Sequence, residues 1–194
     1  MIRVSHFVAV GLLCFAAVAG AAEAPEHSLR EVLPDTVVPT HYDLALFPDA
    51  EALTFSGKVA ITLDVHAATN DVVLNAVGLA FEHATVDGGP DAVVTLENKT
   101  GRAALHFPNP IPEGQHVLTI VYTGKIGHST LGFFAMDYAS PNGPRRTLAT
   151  NFEPAHARDL LPCWDEPGRK ATFTVSIDAP KDHATGRALR LRHH

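Results

Sequence analysis

The amino-acid sequence predicts an all-β fold, an antiparallel sandwich or saddle with one short helical turn near residues 154–161. Three observations predict it. Apolar and polar residues alternate with period two over several short stretches. Chain-reversing residues separate those stretches, at "DGGPD", "NKTG", "PNPIPEGQ" and "SPNGP". No helical periodicity lies between them. The 194 residues are 46% hydrophobic and 19% charged, which is a globular composition. A net charge of −6 offers nucleic acid no basic footprint and gives no standing attraction to an acidic membrane surface.

Taken in order, residues 1–22 read as a cleavable signal peptide. Arg3 is followed by the uncharged run "FVAVGLLCFAAVAG" and by the small residues Ala19 and Ala21. The run is shorter than the ~20 residues a membrane-spanning helix needs. Export to a periplasmic or extracellular space, without a stable membrane anchor, is therefore expected; the alternative is a buried N-terminal helix. Cleavage removes Cys14 and leaves Cys163, so no internal disulfide is expected and the core must carry stability. Residues 23–32 form a polar spacer, residues 33–180 the β-domain and residues 181–194 a basic tail.

Within the domain, "LPDTVVPTHYDLALFPD" leads into a first strand at Asp43–Phe47. "GKVAITLDVHA" places Val59, Ile61, Leu63 and Val65 on one face, with Lys58, Thr62, Asp64 and His66 on the other. Further strands are expected at "DVVLNAVG", "LAFEHATVDG", "AVVTLEN", "RAALHFP", "HVLTIVYTG" and "LGFFAMDY". "ENKTGR" is a tight hairpin in which Gly101 supplies a positive φ. "HVLTIVYT" is apolar on both faces, as a central strand is.

The stretch "TNFEPAHARDLLPCWDEPGRKATF", residues 150–173, holds the chain's only Trp and a cluster of opposite charges. Pro154 suits the first turn of a short helix, and Pro162 ends it. Arg158 is expected to bridge to Asp165 or Glu166, because its planar fork accepts a carboxylate bidentately. Cys163 reads as a small buried hydrophobe. Glu153, on an extended segment before the turn, is placed either to face a cleft or to belong to the scaffold. Of the 12 His, His66, His83, His106 and His116 lie in or beside strands, mostly on the predicted solvent side. No His-Glu-x-x-His, Gly-x-Ser-x-Gly or phosphate loop occurs.

The same stretch resembles the signature near the end of the N-terminal domain of the aminopeptidase N family of zinc exopeptidases. "VVPTHYDLALFPD", "FSGKVAITLDV", "VLNAVGL" and "LGFFAMDY" support the match, which runs from about Leu33 to about Lys181. The resemblance implies a β-saddle whose signature loop reaches the active site of a following, thermolysin-like domain. It implies that Glu153 anchors the free α-amine of a peptide N-terminus, and that Asn151 lines the first side-chain pocket. The family usually has Gln at that position, one methylene longer, so the pocket's preference does not transfer. Phe152, Arg158, Pro162, Cys163, Trp164, Asp165, Glu166 and Pro167 match structural positions.

The family's zinc motif and its Gly-Ala-Met-Glu-Asn loop are absent from the 194 residues. The chain alone is therefore expected to bind no zinc and not to hydrolyse peptides. The pattern breaks at "TGRALRLRHH", where a frameshift or premature stop after His183 is expected. A stand-alone secreted β-module that binds without catalysis is the alternative; a third reading is a decoy that docks on a full-length relative.

Overall fold

Alternating "TFSGKVAITLDV" forms β2 (Thr54–Val65), whose inward residues Phe55, Val59, Ile61, Leu63 and Val65 are all fully buried. This strand sits at the centre of a five-stranded sheet in a computed structural model that describes residues 32–178. The expected signal peptide, Cys14 and the basic tail lie outside the described residues. On one side of β2 runs β1 (Val37–Asp49), with a register shift at Pro39/His41. On the other runs β7 (Gly114–Lys125), followed by β4 (Ala80–Val86). A second sheet orders β3 (Thr69–Asn75), β6 (Arg102–Ile111) and β5 (Val93–Glu97). The last pair, β8 (Gly132–Ser140) and β9 (Gly143–Asn151), forms a separate two-stranded ribbon.

Both larger sheets feed one hydrophobic cluster. Leu118, Ile120 and Tyr122 of β7 meet Val72 and Leu74 of β3, and Ala103, Leu105 and Phe107 of β6, in that shared core. Two glycines seat two rings across the β2–β7 pair, where Phe55 faces Gly124 and Gly57 faces Tyr122. A Cβ at either glycine would lie 2.4 Å from the opposite ring. The rings themselves meet edge-on at 6.3 Å and 84°, the geometry that aromatic quadrupoles favour.

The structure extends or corrects the sequence expectations in several places. The first strand runs well beyond Asp43–Phe47 in both directions. Among the described residues, one strand pairing is parallel: β10 (Thr172–Ile177) lies parallel to β1 at the sheet edge. β7 is interior but buried on one face only, since Val117 is 40% exposed. β9 had no pattern to reveal it, because most of its residues are exposed and only Leu148 packs partly against the core. His66, His83 and His106 are exposed as expected. The His116 side chain is only 12% exposed, held between the Asp87 carboxylate (2.6 Å) and the Pro112 carbonyl (3.0 Å). Gly101 has φ 68° at the β5–β6 hairpin, as expected.

Ile61 is the position at which the core is most directly tested. Ile61→Ala is expected to lower unfolding free energy by about 3 kcal/mol, while exposed Lys58→Ala shifts it by less than about 0.5 kcal/mol. Urea denaturation followed by far-UV circular dichroism measures both. A loss at Ile61 no larger than at Lys58 would contradict the packing described.

Candidate functional site

The stretch 150–173 is fastened to the body at several points, and the fastening begins with a buried amide. Asn75, at the end of β3, is the one buried polar residue among those described. Its backbone exchanges two hydrogen bonds with Cys163, at 2.7 and 3.0 Å. Its side-chain Oδ1 accepts the Asp165 N–H at 3.1 Å, and its Nδ2 donates to the Gly101 carbonyl at 3.5 Å. Trp164 N–H donates to the Tyr42 hydroxyl at 3.1 Å, and Tyr42 stacks flat on Phe173 at 4.6 Å. Burial pushes the Tyr42 phenol well above its ordinary range; nearby Cys163 adds to this, and the Trp164 N–H opposes it.

The charges of the stretch divide by partner. Arg158 Nε donates to Asp165 Oδ2 at 2.9 Å, with the two side chains 18% and 14% exposed. Of the two acids the sequence offered to Arg158, the structure selects Asp165. Glu166 instead accepts the Leu33 N–H at 2.7 Å and lies 3.7 Å from Arg169 Nε. Arg169 also binds Asp35, so this corner clamps the chain leading into β1. Asp159 accepts from His156 Nδ1 at 2.8 Å. The expected helical turn is present only as a 3-10 turn at Ala157–Asp159. Pro154 does not open it; it follows Glu153 through a cis peptide bond, in the reverse turn ahead of the helix.

Glu153 alone differs. Of the four acids in the stretch, Asp159, Asp165 and Glu166 are partnered, whereas the Glu153 carboxylate takes no hydrogen bond or ion pair from the described residues. It is exposed, and its neighbours Phe152 and Pro154 both line an apolar trough of about 840 Å³. Tyr42, Leu44, Phe133, Trp164, Phe173 and Val175 form much of its wall. Two of its lining residues, Phe152 and Phe173, are exposed apolar side chains.

The β8–β9 ribbon carries the chain to Glu153, and its base is built for close approach. Gly132 has φ +68°, and a Cβ there would lie 2.9 Å from both Cβ and Oδ2 of Asp159. Gly132 pairs with Asn151, so any side chain at 132 would push the ribbon off the 3-10 turn beside the site. Phe133 meets Phe55 edge-on at 5.4 Å. Arg146 grips both Asp137 oxygens, at 2.6 and 2.8 Å, and donates to the Ala50 carbonyl at 2.8 Å. Sequence reasoning missed Asn75 and Gly132. An Asn closing an apolar strand and a Gly opening one are weak signals until their partners are known. Among the described residues, no three His, Cys, Asp or Glu side chains converge as a metal requires.

Two measurements test this construction. Arg158→Met leaves the Asp165 carboxylate largely buried without its cation, a change expected to cost about 3 kcal/mol. Calorimetric melting of this variant beside Arg158→Met/Asp165→Leu checks it, since the double variant recovers much of the loss if the charge pair is responsible. Cys163 is fully buried, and burial, reinforced by Asp165, pushes its thiol up. In a Cys14→Ser chain, where Cys163 is the only thiol, a thiolate-dependent reagent such as Ellman's is therefore expected to stay unreactive in buffer and react on unfolding. Prompt labelling of the folded protein would contradict the burial.

Comparison with known proteins follows the same lines. The Peptidase M1 N-terminal domain model matches residues 38–189. The chain is 40% identical over 151 residues to "Aminopeptidase N" of Acetobacter pasteurianus, covering 77% of this chain and 42% of that protein. It is 40% identical over 159 residues to "Aminopeptidase M1" of Arabidopsis thaliana, covering 77% of this chain and 18% of that protein. It is 34% identical over 154 residues to "Alanine/arginine aminopeptidase" of Saccharomyces cerevisiae, covering 76% and 18%. The chain thus spans less than half the length of each of these relatives. With the family model covering most of its residues and the β-rich architecture in agreement, the chain belongs to the M1 aminopeptidase family, of which it carries the N-terminal domain.

Proposed function

We propose that this domain anchors the free α-amine of a peptide substrate through Glu153, for removal of N-terminal residues by a catalytic domain outside this chain. The observation that carries the reading is the division of charges: among the described residues, Glu153 alone of the loop's acids has no partner, and it is exposed. A carboxylate in that state is available for charge-assisted hydrogen bonds to an ammonium group. An internal peptide amide carries no positive charge, so such a site counts from the N-terminus. The arrangement makes the amine the fixed point of the substrate and leaves the side chain to other walls.

The family is zinc-dependent in general, but the described residues do not assemble a zinc donor set. The hydrolytic step is therefore not assigned to them. What this chain supplies is the position of one charge and an apolar face beside it, which suits a covering domain. The leader-like residues 1–22 support export of the protein.

The test replaces the matching region of the Arabidopsis thaliana relative with this domain and measures aminoacyl-anilide hydrolysis. Glu153→Gln keeps the shape and removes the charge. It is expected to raise KM roughly 30-fold, the cost of a lost charged hydrogen bond. An unchanged KM would sink the amine reading. So would turnover by the present chain alone that disappears in Glu153→Ala, since catalysis would then reside here.

A further inference from the structure

An exposed carboxylate binds an ammonium well only if its backbone is held still, because every rotor frozen on binding costs affinity. Among the described residues the Glu153 side chain has no partner to hold it, so rigidity there must come from the main chain. The structure shows one side chain doing this. Asn151 is the last residue of β9 and pairs with Gly132 at the base of the ribbon. Its Nδ2 donates to the Thr130 carbonyl at 3.0 Å, in the segment that enters β8. Its Oδ1 accepts the Glu153 N–H at 3.3 Å. One carboxamide thus ties the Glu153 backbone to the opposite side of the ribbon.

We infer that Asn151 is a positioning residue for Glu153, and not a wall of the substrate side-chain pocket. The inference rests on the amine reading of Glu153 above. Both ends of the Asn151 amide are engaged within the protein, so its acceptor oxygen is already in use. The length of the side chain decides whether this is possible. The Asn oxygen reaches the N–H two residues on and closes a compact local ring. Gln carries its carboxamide one methylene further out, and cannot make that ring while keeping the Thr130 bond. Asp keeps an acceptor oxygen for the Glu153 N–H but replaces the Nδ2 donor by an anionic oxygen that the Thr130 carbonyl repels, so it releases that tether while retaining the local ring. Here the shorter residue converts a pocket position into a clamp.

The two bonds are read separately by NMR of the isotopically labelled full chain, with no substrate present. In Asn151→Gln, exchange of the Glu153 amide proton is expected to accelerate about fivefold, the loss of one ordinary hydrogen bond. Core amides such as that of Ile61 report whether the fold itself has loosened, and are expected to stay unchanged. Asn151→Asp is expected to restore slow exchange at Glu153, a rescue that a merely space-filling role does not produce. Equal exchange at Glu153 in wild type and Asn151→Gln overturns the inference, as does equal acceleration in the Gln and Asp variants. Failure of the amine reading has a different signature: Glu153→Gln is silent in the anilide assay while the exchange pattern at Glu153 persists.

Discussion

The position of the loop at residues 150–173 depends on Asn75. A polar amide within an apolar interior is costly unless its hydrogen bonds are made. Here the backbone of Asn75 pairs with Cys163 and its side chain reaches both Asp165 and Gly101. Three pieces of chain distant in sequence are thus joined at one residue: the end of β3, the β5–β6 hairpin and the C-terminal half of the loop. Because few other geometries satisfy that amide, the loop has one seat on the body. The Arg158–Asp165 pair and the Trp164–Tyr42 bond then follow from where Cys163 has been placed.

From that seat the functional consequence is a sorting of charge. Acids that face the body are partnered locally: Asp159 is hydrogen-bonded by His156, and Asp165 and Glu166 meet Arg158 and Arg169. Glu153 follows the ribbon, makes no ion pair with those groups, and is exposed between two residues that line the trough. Partnered and unpartnered acids thus lie a few positions apart in the same loop. The distinction between them is purely one of neighbours. The ribbon contributes the remaining constraint, since Gly132 lets it lie against Asp159 and Asn151 ties its exit to its entry.

Much of the fold was legible because burial on one face imposes period two, and β2, β3 and β6 show it clearly. The β5–β6 turn was legible because Gly101 needs a positive φ. β9 was not, since a strand with most of its residues exposed carries no alternation. The parallel placement of β10 against β1 was equally hidden, because strand direction leaves no mark on the pattern of a short segment. At the site, the residue types of the loop announced ion pairs but not the pairing. Asp165 and Glu166 are adjacent in sequence, and only their opposite directions in space separate the partner of Arg158 from that of Arg169.

The sequence by itself determined the β-rich class, the core-facing residues of the main strands and the loop in which the charged residues are concentrated. It could do so because hydrophobic periodicity and turn chemistry act locally, within a few residues. The tertiary structure alone decided that Asn75 is the fastening point, that Asp165 holds Arg158 and that Glu153 has no partner among the described residues. Those outcomes depend on contacts between residues tens of positions apart. Whether a carboxylate is scaffold or site is set by which cation lies within about 4 Å of it, and only the folded chain specifies that distance.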